Sequence, residues 1–140
     1  MCIRDRIKNL ISGSKFEDNF KIQGWINQEE LAKEIQNFDI GIVPYPKNSH
    51  MNLYASPLKI FEYLANGSVC LVSDLAAHKE LETLNLVFFK SEDFSDFKAQ
   101  LYNLISNKEF FENIRKNVKN QRPLISIGKR NEKLIDFMRL

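Results

Sequence analysis

Two charged side chains interrupt an otherwise apolar helical pattern at residues 54–67, which read YASPLKIFEYLANG. Lys59 and Glu62 are three residues apart, so both side chains lie on one face of the predicted helix. Two kinds of chemistry fit this pair. One is a solvent-exposed ion pair that stabilises the helix by about 0.2–0.5 kcal/mol. The other is a binding site at which the lysine ammonium faces an anionic ligand.

Local signals define where this helix begins and ends. Ser56 and Pro57 predict its start, because a serine hydroxyl accepts hydrogen bonds from first-turn amides and proline is favoured at the first helical position. Gly67 predicts its end, because glycine readily adopts the left-handed conformation that follows many helices. The apolar residues between them form the predicted buried sides of the helix: Leu58, Ile60, Phe61, Leu64 and Ala65.

The position of the helix favours a ligand. It follows an apolar run at 39–46, DIGIVPYP, that predicts a strand stopped by prolines. In open α/β sheets, ligands bind beside the carboxyl ends of the strands, and the free amides of a helix N-terminus favour phosphate. A lysine in the first turn opposes the helix dipole, an effect that a bound anion would offset. The residues alone leave both the ion pair and the anion site open.

Short apolar runs alternate with helical patterns along the rest of the chain. Strands are predicted at 20–25, 39–46, 68–74 and 85–90, and helices at 27–38, 57–66 and 78–84. Asn27 is the expected N-cap of the first of these helices, with Glu30 three residues on. Two helices follow residue 92, with an aromatic-rich stripe at 94–111 expected in the core. Pro123 ends the second helix, and Leu134, Ile135 and Met138 predict a last one.

This alternation predicts an α/β fold. We expect a partial Rossmann-like parallel sheet of about four strands, with helices on both faces and a helical C-terminal tail. The chain has 140 residues, of which 44% are hydrophobic and 27% are charged, as expected for one globular domain.

Composition also narrows the function classes. A net charge of +2 is too small to indicate nucleic-acid binding. No apolar run approaches the roughly 18 residues that a membrane-spanning helix needs, and the N-terminus lacks a signal-peptide core. The two cysteines, Cys2 and Cys70, make a weak case for a disulfide, and Cys70 is expected to be a buried apolar residue. A cytoplasmic location fits best.

The other polar candidates carry little chemistry by themselves. His50 and His78 lack metal-ligand spacing with any cysteine or carboxylate pair, so both are expected in surface loops. Asp74 ends a predicted strand at the ligand-facing edge, where it either contacts a ligand or caps the next helix. The sequence shows no Gly-rich phosphate loop, no Ser-His-Asp set and no paired metal carboxylates, so neither hydrolysis nor metal catalysis is predicted.

The order and spacing of these motifs resemble a known family. Residues 20–46, FKIQGWINQEELAKEIQNFDIGIVPYP, are similar to a strand, glycine, helix and strand in the C-terminal lobe of glycosyltransferase family 4, the retaining transferases of GT-B fold. Residues 54–74, YASPLKIFEYLANGSVCLVSD, resemble the SPLKxFEYxAxG helix and the next strand of one subgroup. The resemblance covers roughly residues 7–138.

This resemblance implies a donor-binding role for the helix. By its place in the motif, Glu62 would hydrogen-bond the ribose of a nucleoside diphosphate sugar. The amides near Pro57, Leu58 and Lys59, together with the lysine ammonium and the preceding Ser56, would face the diphosphate. The donor is a co-substrate, and neither a metal nor any other cofactor is implied.

The resemblance says less about the residues that recognise the donor sugar than about those that hold the ribose and the diphosphate. Tyr54 stands eight positions before the ribose ligand, where the family often has a glutamate that touches the donor sugar. The SPLK subgroup commonly lacks that glutamate. Tyr45 and Asn48 lie in the loop before the site, within reach of the donor base or sugar. The identities of the sugar, the base and the acceptor stay open.

The resemblance also implies that the chain is part of a larger enzyme. The family lobe opens with two further strands that carry a basic pair, and the acceptor-binding lobe precedes them; both are missing here. Residues 1–6, MCIRDR, match a translation of ATGTGTATAAGAGACAG, which resembles a transposase end sequence, so we expect a non-native scar. Residues 7–140 are then a partial C-terminal lobe.

The predicted activity belongs to the intact parent. That enzyme would be a hexosyltransferase-type glycosyltransferase in polysaccharide biosynthesis, retaining the anomeric configuration, with any peripheral membrane association made through the missing lobe. The fragment alone is expected to be inactive. The alternative is a non-catalytic nucleotide-binding or interaction module with a vestigial site.

Overall fold

A computed structural model describes residues 3–48, 52, 58–126 and 128 of the chain. The chain divides into two compact units, residues 1–31 and 32–140. In chain order, the described helices and strands are α1 (Ile3–Ile11), α2 (Gln28–Ile35), β1 (Ile40–Val43), α3 (Leu58–Asn66), β2 (Val69–Ser73), α4 (Ala76–Lys79), β3 (Val87–Phe89), α5 (Phe94–Ser106) and α6 (Lys108–Gln121). Short 3-10 turns lie at Glu17–Asn19, Glu82–Leu84 and Arg122–Ile125.

The segment at 20–25 does not form the strand that its apolar pattern predicts. Its backbone forms no sheet hydrogen bonds, and Phe20 and Trp25 are 56% and 85% exposed. A strand forms only where a neighbour pairs with its backbone groups. Among the described residues of the first unit there is no second extended segment to provide that neighbour. This prediction was therefore wrong.

The N-terminal cap of α2 confirms a local prediction. Asn27 Oδ1 accepts a hydrogen bond of 2.9 Å from the Glu30 N–H, so the helix begins at Gln28. The asparagine thereby satisfies one of the amides that a helix start leaves without an intrahelical acceptor. Ile35, toward the end of this helix, is buried.

The described residues form a three-stranded parallel sheet in the order β1-β2-β3. Ile40 lies opposite Val69 in the first pair, and Leu71 lies opposite Val87 in the second. All five residues of the central strand β2 are buried. The α/β class and the parallel sheet are confirmed, with three strands instead of about four.

Helices cover both faces of this sheet, as predicted. Because side chains alternate along a strand, Cys70 and Val72 of β2 face one side and Val69 and Leu71 the other. The first side packs on Ile60 and Leu64 of α3 and on Val118 of α6; the second packs mainly on Leu104 of α5.

The aromatic-rich stripe is only partly buried. Phe97 and Leu101 pack against the second core cluster, but Phe94 and Ile105 are 75% and 68% exposed. Leu104, which the sequence analysis did not single out, completes the inward face of α5. The helix stop at Pro123 is confirmed, because α6 ends at Gln121. The predicted last helix, at 134–138, lies outside the described residues.

The helix that carries the charged pair is fixed at its C-terminus and along its buried side. Gly67 has φ +85°, and its N–H donates to Leu64 O over 3.0 Å, while Ser68 N–H donates to Tyr63 O over 3.0 Å. These two bonds satisfy carbonyls that the helix end would leave free. A β-carbon at Gly41 of β1 would overlap the Tyr63 ring, so α3 packs directly on the strand backbone.

None of the helices formed by the described residues combines the length and the apolar character that crossing a membrane requires.

Candidate functional site

The first described turn of α3 lies beyond the carboxyl end of β1, and its polar side chains face solvent. Leu58 is 61% exposed, and Lys59 and Glu62 are also exposed. Within the described part of the chain, neither charged side chain has a hydrogen-bond or ion-pair partner, including the other member of the pair. The exposed ion pair, one of the two alternatives left open by the sequence, is therefore not formed.

Side chains at the carboxyl ends of the strands connect the three segments that follow them. Tyr45, after β1, donates its N–H to Ser73 Oγ over 3.1 Å. Ser91, after β3, donates its hydroxyl to Tyr45 O over 2.8 Å and its N–H to Asp74 Oδ1 over 2.9 Å. These bonds hold the connections after β1, β2 and β3 together at the edge of the sheet where ligands bind in open α/β folds.

Asp74 neither caps α4 nor stands free for a ligand. Its carboxylate accepts the Ser91 N–H and lies 3.8 Å from Lys79 Nζ. The N-cap residue of α4 is Leu75, whose side chain makes no capping bond. The N–H of Ala76 instead donates to Asn52 Oδ1 over 3.1 Å. The aspartate thus links two strand-following segments, a role that the sequence did not predict.

His78 is buried, which contradicts the prediction of a surface loop. The helix α4 begins at Ala76, before the predicted start, and turns the imidazole into the protein. Its Nδ1 lies 2.8 Å from Ser73 O, and since a carbonyl only accepts, Nδ1 carries the proton. The ring packs beside Tyr45 with centroids 5.7 Å apart. Nε2 is buried without a partner among the described residues. His50 lies outside them.

Cys70 is a buried apolar residue, as predicted. Its Sγ contacts Ile60 O at 3.8 Å, and burial raises the pKa of the thiol to about 12. The thiolate, which is the reactive form, is therefore scarce at neutral pH. Burial, and then the electrostatic influence of Cys70 and Glu62, also raises the pKa of Tyr63. Neither residue is placed for nucleophilic chemistry.

A groove of about 470 Å³ opens on the face of the sheet opposite α3. It lies between the end of β1 and the start of α5 and is lined by Ile42, Pro44, Tyr45, Pro46, Phe89, Glu92, Asp93, Phe94 and Phe97. The Asp93 carboxylate already caps α5 by accepting the Asp96 N–H over 2.9 Å. Glu92 is exposed and has φ +65°. Apart from Tyr45, the sequence did not connect these residues with a site.

The described residues contain no group of three or more histidine, cysteine, aspartate or glutamate side chains arranged to hold a metal ion.

The predicted site residues fall into two sets. Leu58, Lys59 and Glu62 lie on α3 as the sequence predicts, whereas Tyr54, Ser56 and Pro57 lie outside the described residues. The serines and the asparagine that connect the edge of the sheet were missed: Ser73, Ser91 and Asn52. For Ser73, the position of a serine at the end of an apolar strand is a signal from which sequence analysis could have predicted a role at this edge. The partners of the other two are distant in sequence, so no local pattern reveals them.

A known protein family matches most of the chain. The profile of the glycosyl transferase-like family matches residues 2–123, a span that contains the sheet, α3 and the whole of α6. No curated protein matches the chain. The family match covers most of the sequence and includes the first turn of α3 with its exposed charged pair. The chain therefore belongs to the glycosyl transferase-like family.

Proposed function

We propose that this chain is part of the donor-binding lobe of a retaining glycosyltransferase of GT-B fold. The intact enzyme would transfer a sugar from a nucleoside diphosphate sugar to an acceptor in the cytoplasm, as a member of family 4. The observation that supports this proposal is the exposed pair Lys59 and Glu62, which has no partner among the described residues, on a helix that begins at the carboxyl edge of a parallel sheet.

The two charges suit the two ends of a nucleoside diphosphate. The Glu62 carboxylate only accepts hydrogen bonds, and the ribose hydroxyls can donate to it. Lys59 lies one turn earlier, at the helix end where amides without intrahelical acceptors favour a diphosphate. Ser56, Pro57 and Leu58 belong to the same first turn in the proposed site, and Tyr54 precedes it on the side of the sugar.

The proposed chemistry needs stabilisation of the departing diphosphate. Amides and an ammonium group that are already oriented toward the developing negative charge provide it, as fixed donors do at other sites of charge development. We propose that no metal is needed at this step. The acceptor would be held by a second lobe, so transfer by the 140-residue chain alone is not expected. Cell-envelope or exopolysaccharide glycans are the acceptors that we propose.

Calorimetric titration of the chain with uridine diphosphate and guanosine diphosphate tests the proposal. We expect binding of one of them, and a roughly 10- to 100-fold weaker affinity in Glu62→Gln, since hydrogen bonds to a charged group contribute about 1.5–3 kcal/mol. Glu112→Gln is the matched control, because Glu112 is an exposed glutamate on α6. Equal affinities of the unaltered chain and Glu62→Gln would contradict the proposal.

The same substitution separates catalysis from binding alone. In the intact parent, Glu62→Gln should reduce sugar transfer together with nucleotide affinity. A parent that binds nucleotide but transfers no sugar would favour the alternative, a non-catalytic nucleotide-binding or interaction module.

A further inference from the structure

We propose that Asn52 is a positioning residue for the donor site, because its side chain fastens the connection between β1 and α3 to α4. This inference rests on the proposed function, since it concerns the same first turn of α3. Asn52 is not required to touch the nucleotide. It limits the conformations of the chain that leads to Leu58 and Lys59, whose amides are proposed to face the diphosphate.

The fastening is a long-range hydrogen bond. Asn52 Oδ1 accepts the Ala76 N–H over 3.1 Å, across 24 residues of sequence. Two backbone hydrogen bonds also involve described residues of this connection, because Asn52 N–H donates to Asn48 O over 2.8 Å and Asn48 N–H donates to Pro46 O over 3.1 Å. The described part of the connection is therefore held locally and then joined to α4 through one side chain.

Ala76, to which Asn52 is joined, is itself exposed, but nearby residues on both sides of it are fixed in the core. Leu75, directly before α4, and His78 within it are both fully buried. The His78 ring is hydrogen-bonded to Ser73 O at the end of β2, and the N–H of His78 donates to Leu75 O over 3.0 Å. A helix turn with buried residues on both sides of Ala76 and a bond to the central strand offers a rigid support.

The connection is fastened near its other end as well. Tyr45, two residues beyond β1, is held through its N–H by Ser73 and through its carbonyl by Ser91. Asn52 is the described anchor nearer to α3, six residues before Leu58. Removal of this bond releases the described long-range anchor before α3, and a longer stretch of chain without an anchor can follow more paths. A ligand that requires one of those paths would then bind more weakly.

The bond can be broken from either side. Asn52→Ala removes the acceptor. Ala76→Pro removes the donor, because proline has no N–H, and proline is favoured at the first position of a helix. Leu75 has φ −68° and ψ 151°, a conformation that readily precedes proline. The two substitutions thus remove one hydrogen bond by independent means, and Asn120→Ala, at an exposed position of α6, is the matched control.

The experiment measures the uridine diphosphate and guanosine diphosphate affinities of the whole chain and of these variants, together with their unfolding midpoints. We expect each single variant to bind about 3- to 10-fold more weakly, the change associated with one hydrogen bond, while Asn120→Ala binds normally. The double variant should be no weaker than the single ones, because the second substitution has no bond left to break. Unfolding should shift little, since the bond is exposed.

The outcomes separate this inference from the proposed function. If the unaltered chain binds neither nucleotide, nor adenosine, cytidine or thymidine diphosphate, the proposed function fails and the donor-site role of Asn52 fails with it. If the chain binds nucleotide and both single variants bind equally well, only the positioning role is overturned. Additive losses in the double variant would also overturn it, because they would mean that Asn52 and Ala76 act separately. Faster amide exchange at Leu58 and Lys59 in both single variants is the matching structural result.

Discussion

The two sides of α3 differ in what they contact. Ile60 and Leu64 are buried against the sheet, at 0% and 2% exposure, and backbone bonds from Gly67 and Ser68 close the helix. Lys59 and Glu62 face solvent, and in the described ranges no other residue pairs with them. The buried side stabilises the fold. The exposed side contributes little to stability and is available to a ligand.

This difference separates stability from binding within one helix. A lysine in the first turn is unfavourable for an isolated helix, and no ion pair within the described residues offsets it here. Substitutions on the buried side should therefore change unfolding, and substitutions of the exposed charges should change nucleotide affinity. The predictions below test that separation.

The largest expected effect comes from truncation on the buried side. Leu64→Ala removes a side chain that is 2% exposed, and we expect a loss of about 2–5 kcal/mol in the free energy of unfolding. Leu58→Ala makes the same chemical change on the same helix, but Leu58 is 61% exposed. Its effect should stay within about 0.5 kcal/mol. Denaturant unfolding measures both, and similar losses would contradict the assigned burial.

A second expected effect is a loss of stability in alkali that depends on Cys70. Burial raises the pKa of this thiol to about 12, whereas it is about 8.5 in an unfolded chain. Above the lower value the unfolded state loses a proton that the folded state keeps. The contribution of the protonated thiol to the free energy of unfolding is therefore complete below about pH 8.5 and is lost as the pH rises toward 12.

The thiol should contribute up to about 1.4 kcal/mol of lost stability per pH unit in that window. Denaturant unfolding at pH 8, 9 and 10 measures the slope. Cys70→Ala, the control, should begin less stable but decline less steeply with pH. If the free energy of unfolding fell equally steeply with pH in the unaltered chain and in Cys70→Ala, the thiol would not be protected from ionisation.

The smallest expected effect concerns the exposed cation. Lys59→Gln should weaken nucleoside diphosphate binding by about 3- to 10-fold and reduce its salt dependence, because one positive charge near the phosphates is lost. The free energy of unfolding should change by less than about 0.5 kcal/mol. Lys116→Gln, at an exposed position on α6, should change neither quantity. A large fall in stability for Lys59→Gln would mean that the two sides are not separable.

Features with local causes were predictable from sequence. The cap by Asn27, the glycine end of α3 and the helix stop before Pro123 each depend on a few adjacent residues. The strands β1, β2 and β3 follow from continuous apolar runs, as expected for strands covered on both faces. The positions of Lys59 and Glu62 on one exposed face follow from helical spacing alone.

Features with distant partners were not predictable. Residues 20–23 alternate apolar and polar side chains as a strand does, but β2 is paired on both sides and, among the described residues, the earlier segment has no strand neighbour. His78 is buried because its imidazole reaches Ser73 O and Tyr45. Asn52 and Ala76 are hydrogen-bonded although a helix and a strand separate them in the sequence. Composition and spacing do not encode these pairings.

The most direct test of the donor site is an amide-resolved NMR titration of the chain with uridine diphosphate and guanosine diphosphate. We expect the largest resonance shifts at Leu58, Lys59 and Glu62, and their loss in Glu62→Gln. Largest shifts around Phe94 and Glu92, which line the groove on the opposite face, would contradict the proposed site. An unchanged spectrum at millimolar nucleotide would contradict nucleotide binding by this lobe.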